Sequence, residues 1–181
     1  KKLSEKGGAN CDVLVMSATP IPRTMMMTLY GDMDVTLIKS KPKNRKEIIT
    51  YTKDINKIND VINFINKEIE KNNQIFWVCP LIEDSTILDH QSTVTRYEYL
   101  KRIYRNKIDL LHGSIDKDKK DLILDNFLNN KIKILVSTTV IEVGIDFPNA
   151  TCIVIEDSNK FGLSQLHQLR GRVGRGEKQS S

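Results

Sequence analysis

The chain has 181 residues, 39% apolar and 28% charged, which allows one domain with a substantial core, or one domain plus a fragment of another, and argues against disorder. Its formal net charge of +5 is compatible with a polyanionic partner and equally with a lysine-rich surface. The longest apolar runs are strand-length and the start KKLSEKGGAN has no signal-peptide core, so the expectation is a cytoplasmic protein with no membrane partner.

In chain order, CDVLVMS predicts a buried strand, followed by Ala18-Thr19-Pro20 and a helix that Pro22 opens and Gly31 closes. VTLI is a second short strand. KSKPKNRK then carries five basic residues, one proline and no acid, a linker composition that puts a domain boundary near Lys46, between residues 1–46 and 47–181. In DINKINDVINFINKEIEKN, Ile55, Ile58, Ile62, Ile65 and Ile69 alternate spacings of three and four, the single apolar stripe of an amphipathic helix. QIFWVCP is a strand, TRYEYLKRIYRNK a helix within a poorly patterned stretch, IDLLHG a strand, DKDKKDLILDNFLNN a helix, and IKILVS and TCIVIED strands; from Ser164 onward a closing helix is expected. Strands alternating with helices predict an α/β fold, a parallel sheet with helices on both faces. Such sheets bind ligands at the carboxyl ends of their strands, which selects Ser17-Ala18-Thr19, Cys79-Pro80-Leu81, His112-Gly113 and Ser137-Thr138-Thr139.

Cys11, Cys79 and Cys152 are far apart, each in an apolar run, and odd in number, so they read as reduced core thiols. His90, His112 and His167 show no ligand spacing with them, and no metal site is expected. Trp77, inside QIFWVCP, reads as core packing in preference to a base-stacking platform, and Met25-Met26-Met27 as helix packing. Thr139-Val140-Ile141-Glu142 is a capping-box pattern that opens a helix directly after IKILVS, offering free N–H groups to a phosphate.

The segment QLHQLRGRVGRGEK places Gly171 and Gly176 at the G-x-x-x-x-G spacing of a phosphate loop, but Glu177 stands where that loop needs lysine. The preceding residues lack a strand and instead set Leu163, Leu166, Leu169 and Val173 at helical spacing. Continued as a helix, the segment would gather Gln168, Arg172 and Arg175 within a sector of roughly 60°. A solvated basic face is the bland alternative; arginines paired with glycines, having the planar fork that suits phosphate oxygens, favour a phosphate contact.

Taken together, SATPIPRT, CPLIEDS, LLHG, TTVIEVGIDFPNA and FGLSQLHQLRGRVGRG resemble, in this order, the second motor domain of the superfamily 2 helicases, and most closely the RecG family of ATP-dependent DNA helicases. The resemblance runs from about Cys11 to Gln179. The transcription-repair coupling factors share ATPIPRT and QLHQLRGRVGR but are less similar over CPLIEDS and VGIDFPNA. It implies a RecA-like fold in which residues 1–46 are the tail of a first motor domain and 47–181 the second. It further implies ATP and Mg2+ held mainly by the first domain, whose phosphate loop and acidic motif are not in this sequence, so that the chain alone should be inactive. Partners implied are forked or branched DNA, and the first motor domain and a wedge domain of the same full-length protein.

Residue by residue, Ser17, Ala18 and Thr19 match the motif linking nucleotide state to DNA grip; Thr138, Thr139, His112 and Gly113 match positions at the nucleic-acid backbone. Gly144 and Asp146 match the nucleotide side, and Gln168, Arg172 and Arg175 the arginine-finger motif. A non-catalytic binding module of the same fold and an RNA-remodelling motor are the competing readings.

Overall fold

The computed structural model describes residues 46–80, 86–138, 147–176 and 178–181, with Leu14, Met16, Thr36 and Ile38, and over 86–92 the backbone alone. The elements expected over 11–35, with Ser17, Ala18 and Thr19, and the cap and site residues Thr139, Glu142, Gly144 and Asp146, lie outside the described residues. The chain divides into two units, Lys1–Ser40 and Lys41–Ser181, a division inside the basic run of residues 39–46. Every described helix and strand belongs to the second unit.

A four-stranded parallel sheet forms its centre: β1 (Gln74–Val78), β2 (Ile108–Leu111), β3 (Ile134–Ser137) and β4 (Ala150–Ile155), in the order β2-β3-β1-β4. The continuous apolar runs of the sequence have their reason here. Strands covered on both faces need no polar alternation, and every residue of β1 and β3 is buried. One face carries Ile75, Trp77, Ile134, Val136 and Cys152 against helices α1 (Ile58–Glu70) and α2 (Thr86–Tyr104). On the other, Phe76, Val78, Leu111 and Leu135 pack against α3 (Lys117–Leu128) and α4 (Leu163–Arg170). The register shift beside Gln74 lets Ala150 face one layer and Cys152 the other. Both layers are therefore helical, as expected, and Trp77 is a core residue with no exposed surface.

Three boundaries differ from expectation. Ile62 and Ile65 are buried on α1, but Ile55 is 67% exposed. It belongs to a 3-10 turn, Ile55–Lys57, that begins where the Asp54 carboxylate accepts from Asn56 N at 2.9 Å, and the tighter winding takes Ile55 out of the stripe. Helix α2 starts at Thr86, well before Thr95, and gives way to a 3-10 turn at Arg105, whose φ of 50° is left-handed. Leu163 is 86% exposed, so the packing stripe of the last helix is Leu166, Leu169 and then Val173 beyond its end.

Two buried polar side chains of the unit, Gln74 and Glu68, are well paired. Gln74 is 1% exposed, and its Nε2 donates to the Phe127 carbonyl at 2.5 Å and the Ile132 carbonyl at 2.8 Å. It adds a second donor to the Phe127 carbonyl, which already accepts from Asn130 N at 3.0 Å, and supplies one to the Ile132 carbonyl beyond α3. Glu68 illustrates the same rule at the end of α1. Burial alone would raise its carboxyl pKa, yet hydrogen bonds from Lys71 Nζ (2.8 Å) and Asn73 Nδ2 (2.7 Å) hold it below the ordinary value.

Candidate functional site

Among the described residues, the expected site positions fall at two opposite edges of the sheet. At the carboxyl edge, Leu111 pairs with Ser137, which brings His112 and Gly113 at the end of β2 beside Thr138 at the end of β3. Cys79 N donates to the Ser137 carbonyl at 2.8 Å, so the end of β1 joins the same rim. β1 connects outward past β3 to β2, while β3 connects past β1 to β4. The adjacent strands β1 and β3 thus send their chains in opposite directions, the switch point at which open α/β sheets form a ligand crevice. His112 is half-buried and its carbonyl accepts from Ile115 N at 3.3 Å; Gly113 is exposed, with nothing within 4 Å of an added Cβ. Thr138 is only 6% exposed, so its side chain is largely withdrawn into the strand end.

One charged pair at this rim was not expected from the sequence. Glu156, the residue after β4, is 2.5 Å from Arg96 Nε on α2, and the Arg96 guanidinium lies over the rings of Trp77 (5.9 Å) and Tyr99 (5.6 Å). Burial pushes the Glu156 carboxyl up, with the Arg96 charge opposing it. Burial, with the Glu156 charge beside it, also pushes the Cys79 thiol up to about 12. Cys79 and Cys152 are free, buried thiols, with Cys152 likewise raised to about 12 by burial, so neither is a nucleophile at neutral pH. An acid directly after an apolar strand, as in CIVIED, is the sequence signal that could have found Glu156.

The arginine segment lies at the other, amino edge. The expectation that helix α4 runs on through Arg172 and Arg175 is not met: it ends at Arg170. Gly171 N donates to the His167 carbonyl at 3.1 Å, Arg172 N to Leu169 at 2.9 Å and Val173 N to Arg170 at 3.5 Å, a helix tightening into a turn. Gly174 follows with a φ of 72°, a left-handed conformation that only glycine adopts without cost. Gln168 therefore stays on the helix, exposed, whereas Arg172 and Arg175 belong to an irregular turn and do not share its helical face.

The turn is nonetheless closely fixed. Val173 is fully buried in the core, and Arg175 Nε donates to the Gly171 carbonyl at 3.3 Å. A Cβ on Gly176 would stand 2.8 Å from the Pro148 carbonyl oxygen, so the turn lies directly against the segment that follows Gly144 and Asp146. Burial, and then the charge of Arg175, lowers the Arg172 guanidinium below its ordinary value. Two guanidinium groups are held in one turn, one of them half-desolvated, and a phosphate group is the ligand that would relieve their repulsion and fill their forks. Past the turn, Ser181 N donates to the Thr151 carbonyl and Ile153 N to the Ser181 carbonyl, both at 2.8 Å, and Ile49 N donates to the Ser180 carbonyl at 3.0 Å. The chain after the arginines is thus hydrogen-bonded to β4 through Ser181.

The RecG ATP-dependent DNA helicase of Bacillus subtilis (strain 168) is 50% identical over 182 residues, 99% of this chain and 26% of that protein. The Thermotoga maritima RecG is 50% identical over 171 residues, 93% of this chain and 22% of its own length. A solved structure of RecG bound to a three-way DNA junction superposes with a TM-score of 0.74 at 48% identity, over 91% of this chain and 21% of that one. The chain spans about a quarter of the length of the curated relatives it matches. The fold is the RecA-like one of superfamily 2 helicase domains. The model of the helicase conserved C-terminal domain matches residues 56–177, and the chain belongs to that family.

Proposed function

We propose that this chain is the second motor domain of a RecG-type, ATP-dependent double-stranded DNA translocase that remodels forked and branched DNA. The observation that carries the reading is its likeness to RecG bound to a three-way DNA junction, 48% identical with a TM-score of 0.74. In this reading ATP and Mg2+ sit mainly on the first motor domain. Arg172 and Arg175 reach the γ-phosphate across the cleft, with Gln168 beside them and Gly144 and Asp146 on the nucleotide side. His112, Gly113, Thr138 and Thr139 follow the DNA backbone at the opposite edge, and Ser17, Ala18 and Thr19 couple the two. Arginines delivered this way stabilise charge that develops as the phosphoryl group leaves, and cleft closure and opening turn hydrolysis into motion.

Hydrolysis of ATP by the full-length protein, measured with forked DNA, structured RNA and no nucleic acid, tests the reading. Forked DNA should stimulate most, and the present chain alone should not hydrolyse ATP appreciably. Preferential stimulation by RNA, or no response to any nucleic acid, would overturn it. Gly176→Ala offers a finer check. The added methyl meets a backbone carbonyl at 2.8 Å that has nowhere to go, so the arginine turn must shift. A displacement on the order of 1 Å should lower turnover by about 10²-fold, while circular dichroism shows the domain still folded.

A further inference from the structure

The arginine turn is covered by a residue from far upstream in the chain. Ile48 stands two residues beyond the basic run that ends at Lys46. Glu47, Ile49 and Thr50 are exposed, whereas Ile48 is half-buried and packs against the core layer that contains Val173 and Leu169. A Cβ on Gly174 would stand 3.1 Å from Ile48 Cγ1 and 3.4 Å from its Cδ1, so the isoleucine side chain lies on the bare backbone of Gly174 with no room for a methyl group between them. The φ of 72° at Gly174 is one that asparagine also tolerates; the close approach of Ile48 adds a second reason for glycine. The segment is held in place by Ile49 N donating to the Ser180 carbonyl at 3.0 Å, beside the parallel bridge of Ile48 with Ser180.

Gly174 lies between Arg172 and Arg175 and is the immediate neighbour of Arg175. It has no side chain of its own to pack, so the group that covers it fixes the backbone on which Arg175 stands. Contact attraction is short-ranged, and a gap of about 1 Å forfeits roughly half of it. The seat of the turn is therefore sensitive to the volume and shape of the side chain above Gly174. We propose that Ile48 is a positioning residue for the arginine finger: by seating Gly174 it fixes the place of Arg175, and it does so from the segment that leaves the basic run in which the two units divide. Ile48 has no polar group to offer a phosphate, so its whole influence passes through the Gly174 backbone. This rests on the finger reading of Arg175 given above.

ATP hydrolysis by the full-length protein with saturating forked DNA tests this. Ile48→Ala should lower kcat about tenfold, the effect of a sub-ångström shift of the turn, with KM for ATP and affinity for forked DNA held within about twofold. Ile48→Val keeps both γ carbons and should recover most of the rate. Ile48→Leu, a volume-conserving swap that cores tolerate, moves the branch point against Gly174 and should lower kcat severalfold by itself. In an Arg175→Ala background, Ile48→Ala should change kcat by less than about twofold, because residues that act as a unit are not additive. A residue that merely supports the fold lowers it by the same factor in both backgrounds. Equal losses in the two backgrounds, or wild-type kcat in both the alanine and leucine variants, would overturn the proposal. Failure of the finger reading would show separately, as near-wild-type turnover in Arg175→Ala alone.

Discussion

Replacing Arg175 by alanine in the full-length protein is expected to lower ATP turnover by about 10³-fold while affinity for forked DNA stays within about twofold. The loss corresponds to roughly 4 kcal/mol of transition-state stabilisation. Two features set this expectation. Arg175 is exposed, so removing its side chain opens no cavity, and the turn retains the buried Val173 and the glycines that shape it. The DNA-facing residues of the proposed track lie at the opposite edge of the sheet. Arg175→Lys should recover only part of the rate, because a lysine restores the charge without the planar fork. Single-turnover hydrolysis, paired with a DNA-binding isotherm, separates the two effects. Near-wild-type turnover in the alanine variant would remove Arg175 from the finger role.

Phe127→Ala should destabilise the chain by about 3 to 5 kcal/mol, a large share of the roughly 5 to 15 kcal/mol that holds a typical domain together. Phe127 has no exposed surface, and its ring centroid lies 5.1 Å from that of Phe76 and 5.2 Å from that of Phe147. The Phe76–Phe147 distance of 5.6 Å closes the triangle. Strand β1, the end of α3 and the segment leading into β4 therefore meet at one side chain. The same residue supplies the carbonyl that Gln74 Nε2 reaches, so collapse around a cavity would disturb a buried hydrogen bond as well. Urea unfolding of the 181-residue chain would measure the loss, and a change below about 1.5 kcal/mol would mean that the aromatic cluster repacks.

Much of this was legible in the sequence because parallel strands and amphipathic helices leave strong patterns. IFWV and ILV are apolar throughout because both faces are covered, and Ile58, Ile62, Ile65 and Ile69 lie on the packed side of α1. What escaped notice depends on contacts between distant residues or on single backbone angles. TILDHQST lacks an apolar stripe, yet its backbone belongs to α2, whose later turns bury Leu100 and Tyr104. The arginines match a motif by spacing, but spacing alone suggested one long helix; Gly174 at positive φ makes them a turn. Nothing local to Gln74 or Asn73 announced that they would be buried polar groups, since their partners lie on other elements.

The pairing of Ser180 and Ser181 with Thr151, Ile153 and Ile49 bears on how the arginines can move. Helix α4 anchors the segment on one side and these backbone hydrogen bonds to Thr151, Ile153 and Ile49 on the other, which leaves the turn as a short span held at both ends. A pull on the guanidinium groups would have little slack to take up before it reached the sheet. In the proposed finger role the arginines would then report a phosphate by the position of the entire unit, as a rivet transmits load to a plate, and not by the bending of a loose arm.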